Sequence, residues 1–300
     1  MKMPNFMIIG APKAGTTSLR NYLKQHPQVY MSPIKETSFF AYEGKNWEYS
    51  TLDGYWINFF PITSIEAYQA QFEGVSNETA IGEASPIYLY NSRVPERIQQ
   101  YIPDAKVIAI LRDPVERAFS HFSHYVRDRL EPLADFSQAI QEAEVRIRNE
   151  LPTGYYIEYG FYYEYLKPYF ERFDRDKIRI YLYQDFKANP VCVVQDIFRF
   201  LNVDDTFTPD VSLKYNVSGI PRNKALHKFL IDLPRPDNKS LLKRLLPEKL
   251  LWRIGLNLYN WNLDQQMFPT EVRSSLIEIY REDILKLQDL LQQDLSKWLE

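Results

Sequence analysis

Phe6-Met7-Ile8-Ile9-Gly10-Ala11-Pro12-Lys13-Ala14-Gly15-Thr16-Thr17-Ser18-Leu19 decides the fold. Phe6 to Ile9 is an apolar run ending at a glycine, as expected of a strand buried on both faces. Residues 10–17 hold two glycines, a proline and a lysine and read as a loop. Beyond them Leu19, Tyr22 and Leu23 recur at helical spacing, and His26-Pro27 stops the helix. A strand, a glycine-rich loop and a helix in this order form a phosphate cradle. Backbone N–H groups of the loop and first helical turn converge on one spot, and the helix dipole favours an anion there.

Gly10 and Gly15 have the G-x-x-x-x-G spacing of nucleoside-triphosphate loops, in which Lys and then Ser or Thr come next. Here Thr16 and Thr17 follow, and the lysine, Lys13, lies inside the loop. A lysine after the second glycine reaches β- and γ-phosphates. One inside the loop sits beside a shorter group, which implies a nucleotide with a single modified 5′-phosphate.

Outward from the loop, residues 29–31, 80–83, 106–111 and 177–183 read as further strands. Residues 64–72, 115–127, 136–149, 162–173, 191–201 and 270–299 read as helices. The alternation predicts an α/β protein: a P-loop-type three-layer fold with a central, mainly parallel sheet flanked by helices. One domain, 1–300, is expected, with 213–265 as a candidate lid or acceptor-binding subregion that contains the Lys- and Arg-rich stretch 222–253.

The chain has 36 Lys and Arg against 39 Asp and Glu, so no global charge points to nucleic acid. Its 45% hydrophobic content excludes a disordered or collagenous chain. No apolar stretch approaches the ~18 residues of a membrane span, and no secretory leader precedes the first strand; a soluble, cytoplasmic protein is expected. Cys192, the single cysteine, makes no internal disulfide and, between Val191 and Val193, is expected to be a buried thiol. No cluster has metal-ligand spacing, and no metal is expected. The aromatic segment 42–60 suits a cleft for sugar rings or flat apolar molecules.

The loop from Ala11 to Leu19 resembles the 5′-phosphosulfate-binding loop of sulfotransferases that use 3′-phosphoadenosine 5′-phosphosulfate (PAPS). Ile110-Leu111-Arg112-Asp113-Pro114-Val115-Glu116-Arg117-Ala118-Phe119-Ser120 resembles the 3′-phosphate motif of the same family. Gly160-Phe161-Tyr162, residues 178–186 and 198–203, and Leu287 through Trp298 follow its pattern, so the resemblance spans nearly the whole chain. It points to the bacterial and glycan-modifying branches. It implies transfer of a sulfuryl group from PAPS to a hydroxyl acceptor by in-line displacement, with 3′,5′-ADP (PAP) as product.

The resemblance assigns Lys13, Ala14, Gly15, Thr16, Thr17 and Ser18 to the 5′ group, with Lys13 also catalytic, and Arg112 and Ser120 to the 3′-phosphate. Residues 216–223 resemble a segment that folds over the nucleotide, adding Arg222 and Lys224. In Lys35-Glu36-Thr37-Ser38-Phe39-Phe40, Glu36 occupies the position of the family's catalytic base, and Lys35 is a candidate acceptor contact. Glu83 matches a Glu-Lys-Thr/Ser-Pro segment and is a second candidate acceptor contact, but Ala84 replaces the lysine. His26, His121, His124 and His227 lack the placement of the histidine base of the small-molecule branch. Arg127 and Arg129 have no motif and read as surface residues. The acceptor stays open among carbohydrate, lipid, small metabolite and carrier-bound chain. Two other readings share the scaffold. A nucleoside or nucleotide kinase lacks its lysine here, and a non-catalytic PAP-binding module leaves Lys13 and Glu36 without a purpose.

Overall fold

The structure, a computed structural model, describes residues 2–45, 51–52, 55–56, 61–128, 130–149, 154–213, 219–223, 225–226, 257–258, 261–264, 268 and 270–300. Five strands form the central sheet: β1 (Phe6–Gly10), β2 (Val29–Met31), β5 (Ala80–Ala84), β6 (Lys106–Leu111) and β7 (Ile178–Leu182). The order is β2-β5-β1-β6-β7, and every neighbouring pair is parallel. Two short antiparallel pairs lie outside it, β3 (Thr51–Leu52) with β4 (Tyr55–Trp56), and β8 (Ile220–Pro221) with β9 (Leu263–Asp264).

Parallel strands need crossover connections, and helices supply them. Helices bounded within the described residues include α1 (Thr16–Leu23), α2 (Phe39–Tyr42), α3 (Ile65–Gln69), α4 (Val94–Tyr101), α5 (Pro114–Arg127), α6 (Phe136–Arg148), α7 (Tyr162–Phe170), α8 (Tyr183–Ala188), α9 (Pro190–Leu201) and α10 (Thr270–Leu291). Helices cover both faces, so the central strand β1 is buried along its whole length. In the register of β1 on β5, Phe6 lies opposite Gly82. A Cβ at Gly82 would come within 2.2 Å of the Phe6 ring, so the residue must be glycine for that ring to lie across the ladder.

Where β6 ends, the Asp113 side chain accepts from Val115 and Glu116 N–H at 2.8 and 3.1 Å and Pro114 opens α5. Asp113 also accepts from Arg273 of α10 at 3.1 Å, which fastens the C-terminal helix over the start of α5. α10 is held again where Asp283 accepts from Tyr163 N–H and Tyr280 donates to Ile157 O. Among the described residues no helix is long and apolar enough to cross a membrane.

The Cys192 expectation is corrected: the thiol is exposed. α9 turns Val194, Ile197, Phe198 and Leu201 inward. Successive helical residues point about 100° apart, so apolar chain neighbours do not make Cys192 part of that stripe.

Candidate active site

β1, β5, β2 and β6 all end at the same edge of the sheet, where open parallel sheets bind ligands. After β1 the loop is pinned by Ala11 N–H donating to Ile110 O at 2.8 Å. Lys13 has φ 70° and Gly15 φ 89°, two left-handed turns that fold the loop back over the start of α1. Gly15 is the N-cap of α1 and supplies no side-chain cap, so the first amides of the helix face outward from its N-terminus. Ala14 and Thr16 are buried beneath, while Thr17 and Ser18 are half-buried.

Lys13 is half-buried, and its pKa is pushed down to about 7. Removal from water is the largest cause; Arg127, Arg112 and Lys35 add to it, and Asp128 opposes it. These residues come from three different strand ends or helices, so the resulting concentration of positive charge belongs to the assembled edge. Arg112 stacks over the Tyr183 ring at 4.9 Å, pairs with Glu116 at 3.1 Å and donates to Lys13 O at 3.4 Å. It thereby ties the end of β6 to the loop. Ser120 is buried on α5. Arg222 is exposed and pairs with Asp264 across β8 and β9 at 3.3 Å. Lys224, His227 and Arg129 lie outside the described residues, as does most of 213–265.

Lys35 and Glu36 follow β2 and form an ion pair with each other. Glu36 has φ 62° and Ser38 φ 53°, left-handed conformations that cost a non-glycine residue about 1–3 kcal/mol each. Phe39 and Phe40 anchor this turn: both are fully buried, Phe39 stacking on Tyr68 at 4.4 Å and Phe40 meeting Tyr88 edge-on at 5.6 Å. Glu83 is fully buried as well. Its two carboxylate oxygens accept from four hydroxyls, those of Thr37, Tyr68, Ser85 and Tyr88, at 2.5–2.9 Å.

The described histidines divide by partner. His26 accepts from Gln28 N–H on Nδ1 and so donates from Nε2 to Asp204 O, which fixes one neutral tautomer inside a turn. His121 is buried among Tyr125, Tyr156 and Tyr159, and burial with the neighbouring Arg117 pushes its pKa well down. His124 meets Asp128 at 3.0 Å, and burial lowers its pKa to about 4. Arg127 is corrected from a surface residue: it is 6% exposed and grips Asp128 at 2.7 and 3.2 Å. Burial pushes the Asp128 carboxyl up, but hydrogen bonds from His124 and Arg127 outweigh it and hold it well below the usual range. The i, i+4 spacing of His124 and Asp128 is the sequence signal for this cluster.

The sequence pattern of the Sulfotransferase family matches residues 4–208, from the start of β1 past the end of α9. The chain belongs to the sulfotransferase family. A crystal structure of a sulfotransferase from Alicyclobacillus acidocaldarius is 31% identical, with each chain covered in full and a TM-score of 0.76. Human carbohydrate sulfotransferase 15 is 25% identical over 84% of this chain. The bifunctional heparan sulfate N-deacetylase/N-sulfotransferase of Drosophila melanogaster is 28% identical over 85% of it. The chain spans about half the length of the first relative, 55%, and 25% of the second. The five-stranded parallel sheet with helices on both faces is the fold expected from the glycine loop.

Proposed function

We propose that this sulfotransferase moves a sulfuryl group from PAPS to a hydroxyl of a carbohydrate acceptor, with Glu36 as general base. The observation that carries the reading is Lys13: a lysine inside the glycine loop whose ammonium is crowded by Arg112, Arg127 and Lys35 at the open end of the sheet. Such a site favours a ligand that brings several negative charges. The first amides of α1 suit the 5′-phosphosulfate, and the planar fork of Arg112 suits the 3′-phosphate. Thr16, where a triphosphate-binding loop has its lysine, is 4% exposed, which argues against the kinase reading.

PAPS supplies an activated S–O bond. Glu36 takes the proton of the acceptor hydroxyl as its oxygen bonds to sulfur. Lys13 and the α1 amides stabilise the charge left on the bridging oxygen as the S–O bond to phosphate breaks. Lys35, released from Glu36 when the acceptor arrives, remains beside the acceptor. A carbohydrate acceptor is supported by the names of the two glycan-modifying relatives and by the half-buried Tyr42, Tyr90 and Tyr159.

The test has two parts. PAP at about 100 times its dissociation constant adds ~2.7 kcal/mol of stability without magnesium, and ATP does not. Glu36→Gln binds PAP within twofold of wild type and loses sulfuryl transfer to unsulfated chondroitin or heparosan oligosaccharides. A thermal shift given only by ATP with magnesium, or full transfer by Glu36→Gln, refutes the reading.

A further inference from the structure

Glu83 has no described contact with Lys13, Arg112 or Glu36, yet it is the most heavily hydrogen-bonded carboxylate at this edge of the sheet. Its partners show what it holds. Ser85 Oγ donates to Glu83 and accepts from Ser38 N–H at 3.0 Å. Tyr88 OH donates to Glu83 and accepts from Phe40 N–H at 3.3 Å. Each hydroxyl has one proton. Once it goes to the carboxylate, the oxygen lone pair turns to the amide, so Glu83 sets the direction of both relays. Thr37 is held directly. Between these contacts Glu36 N–H donates to Ala84 O at 3.0 Å.

Three consecutive residues of the turn, Glu36, Thr37 and Ser38, are thus held by three consecutive residues at the end of β5, Ala84, Glu83 and Ser85. The end of β5 is a template for the turn after β2. That turn contains the left-handed Glu36 and Ser38, and such conformations persist only where the surroundings over-determine them. The Ser38 side chain does not cap α2, so Ser38 and Phe40 N–H depend on the two hydroxyls for partners.

We propose that Glu83 is a positioning residue which, through the hydroxyls of Thr37, Ser85 and Tyr88, fixes the Glu36 turn in the geometry the transfer needs. The proposal rests on Glu36 as base. Burial raises the Glu83 pKa while the four hydroxyl bonds oppose the rise, as fits a carboxylate kept for its acceptors. An amide cannot replace it. The NH2 of Gln would force two hydroxyls to reverse their protons, and a reversed Ser85 or Tyr88 points its O–H at the Ser38 or Phe40 N–H.

The test compares Glu83→Gln, Ser85→Ala, Tyr88→Phe and Tyr68→Phe. The readout is PAP release from PAPS, with water or unsulfated chondroitin oligosaccharide as acceptor. Rates are normalised to PAP-binding sites counted by calorimetry, so partial unfolding does not register. Glu83→Gln is expected to lower kcat about 100-fold with KM for PAPS and PAP affinity unchanged within threefold, the scale for a reacting group displaced by about 1 Å. Ser85→Ala and Tyr88→Phe each cut one relay and lower kcat about tenfold, and they keep the test alive if Glu83→Gln does not fold. The Tyr68 hydroxyl reaches Glu83 but no amide of the turn, and Phe keeps the ring that packs on Phe39 and Phe40, so Tyr68→Phe stays within threefold of wild type. Wild-type kcat per binding site in Glu83→Gln or in both relay variants overturns the proposal. So does an equal loss in Tyr68→Phe. Glu36→Gln, assayed alongside, separates the two failures: if it is inactive while Glu83→Gln is fully active, positioning alone is refuted, and if it is active, the base assignment falls first.

Discussion

Binding of PAP is expected to take up a proton on Lys13. In the free protein Lys13 has a pKa of about 7, because burial and the cations Arg127, Arg112 and Lys35 disfavour its charge. A bound phosphate reverses that balance and raises the pKa of the lysine in the complex. The sign follows from the order of the two values. Binding is strongest where Lys13 is already protonated, below pH 7, and weakens as pH rises toward the pKa of the complex. Each unit of pH above about 7.5 costs about 1.4 kcal/mol, a tenfold loss of affinity. Both phosphates of PAP are fully ionised in that range, so the ligand itself adds no slope. Calorimetry at pH 8 in buffers of different ionisation enthalpy is expected to give uptake of about 0.9 proton per PAP. Lys13→Arg keeps the cation but does not titrate, and its affinity is expected to be flat over the same range. Flat binding and zero uptake in the wild type refute the reasoning, as does uptake that persists in Lys13→Arg.

Two further outcomes concern the scaffold. Gly82→Ala drives a Cβ to 2.2 Å from the fully buried Phe6 ring and is expected to cost about 2–3 kcal/mol, read as a lower denaturant midpoint at unchanged slope; a loss below 0.5 kcal/mol, about the noise of such titrations, refutes that register. Asp283 is raised by burial from 3.8 to about 6, with Oδ1 buried and unpartnered among the described residues. A raised carboxylate contributes stability at low pH that is lost as pH climbs through 4 to 6, here about 3 kcal/mol. Asp283→Asn does not titrate, so its stability relative to wild type is expected to grow by that amount between about pH 4 and pH 7; a constant difference across this range refutes the assignment.

The Lys13 loop and the run from Lys106 to Arg112 were legible because each is local. A strand ending in a glycine loop and a helix opening on proline are written within a dozen neighbouring residues. Resemblance singled out Glu36 and Lys35, and the structure sets the two side by side as an ion pair. Arg127 was not. It stands at the end of a helix without a motif, and its burial beside Asp128 is a product of tertiary packing rather than of its chain neighbours. Glu83 was legible as a carboxylate but not in its contacts, since its four donors come from three separate stretches of chain.

The sequence by itself determined the kind of protein this is: a parallel α/β sheet, a glycine loop with its lysine displaced inward, an arginine at the next strand end. These follow from periodicity, glycine placement and residue type, which act over a few residues. The tertiary structure decided what the charged groups are worth. Lys13 is drawn down to about 7 only because Arg112, Arg127 and Lys35 are brought to one edge and water is excluded there. Glu83 meets Thr37 of the turn after β2 only because β5 lies beside β2 in the sheet. Electrostatic energy depends on distance and solvent exposure in space, and neither quantity exists until the strands are in order.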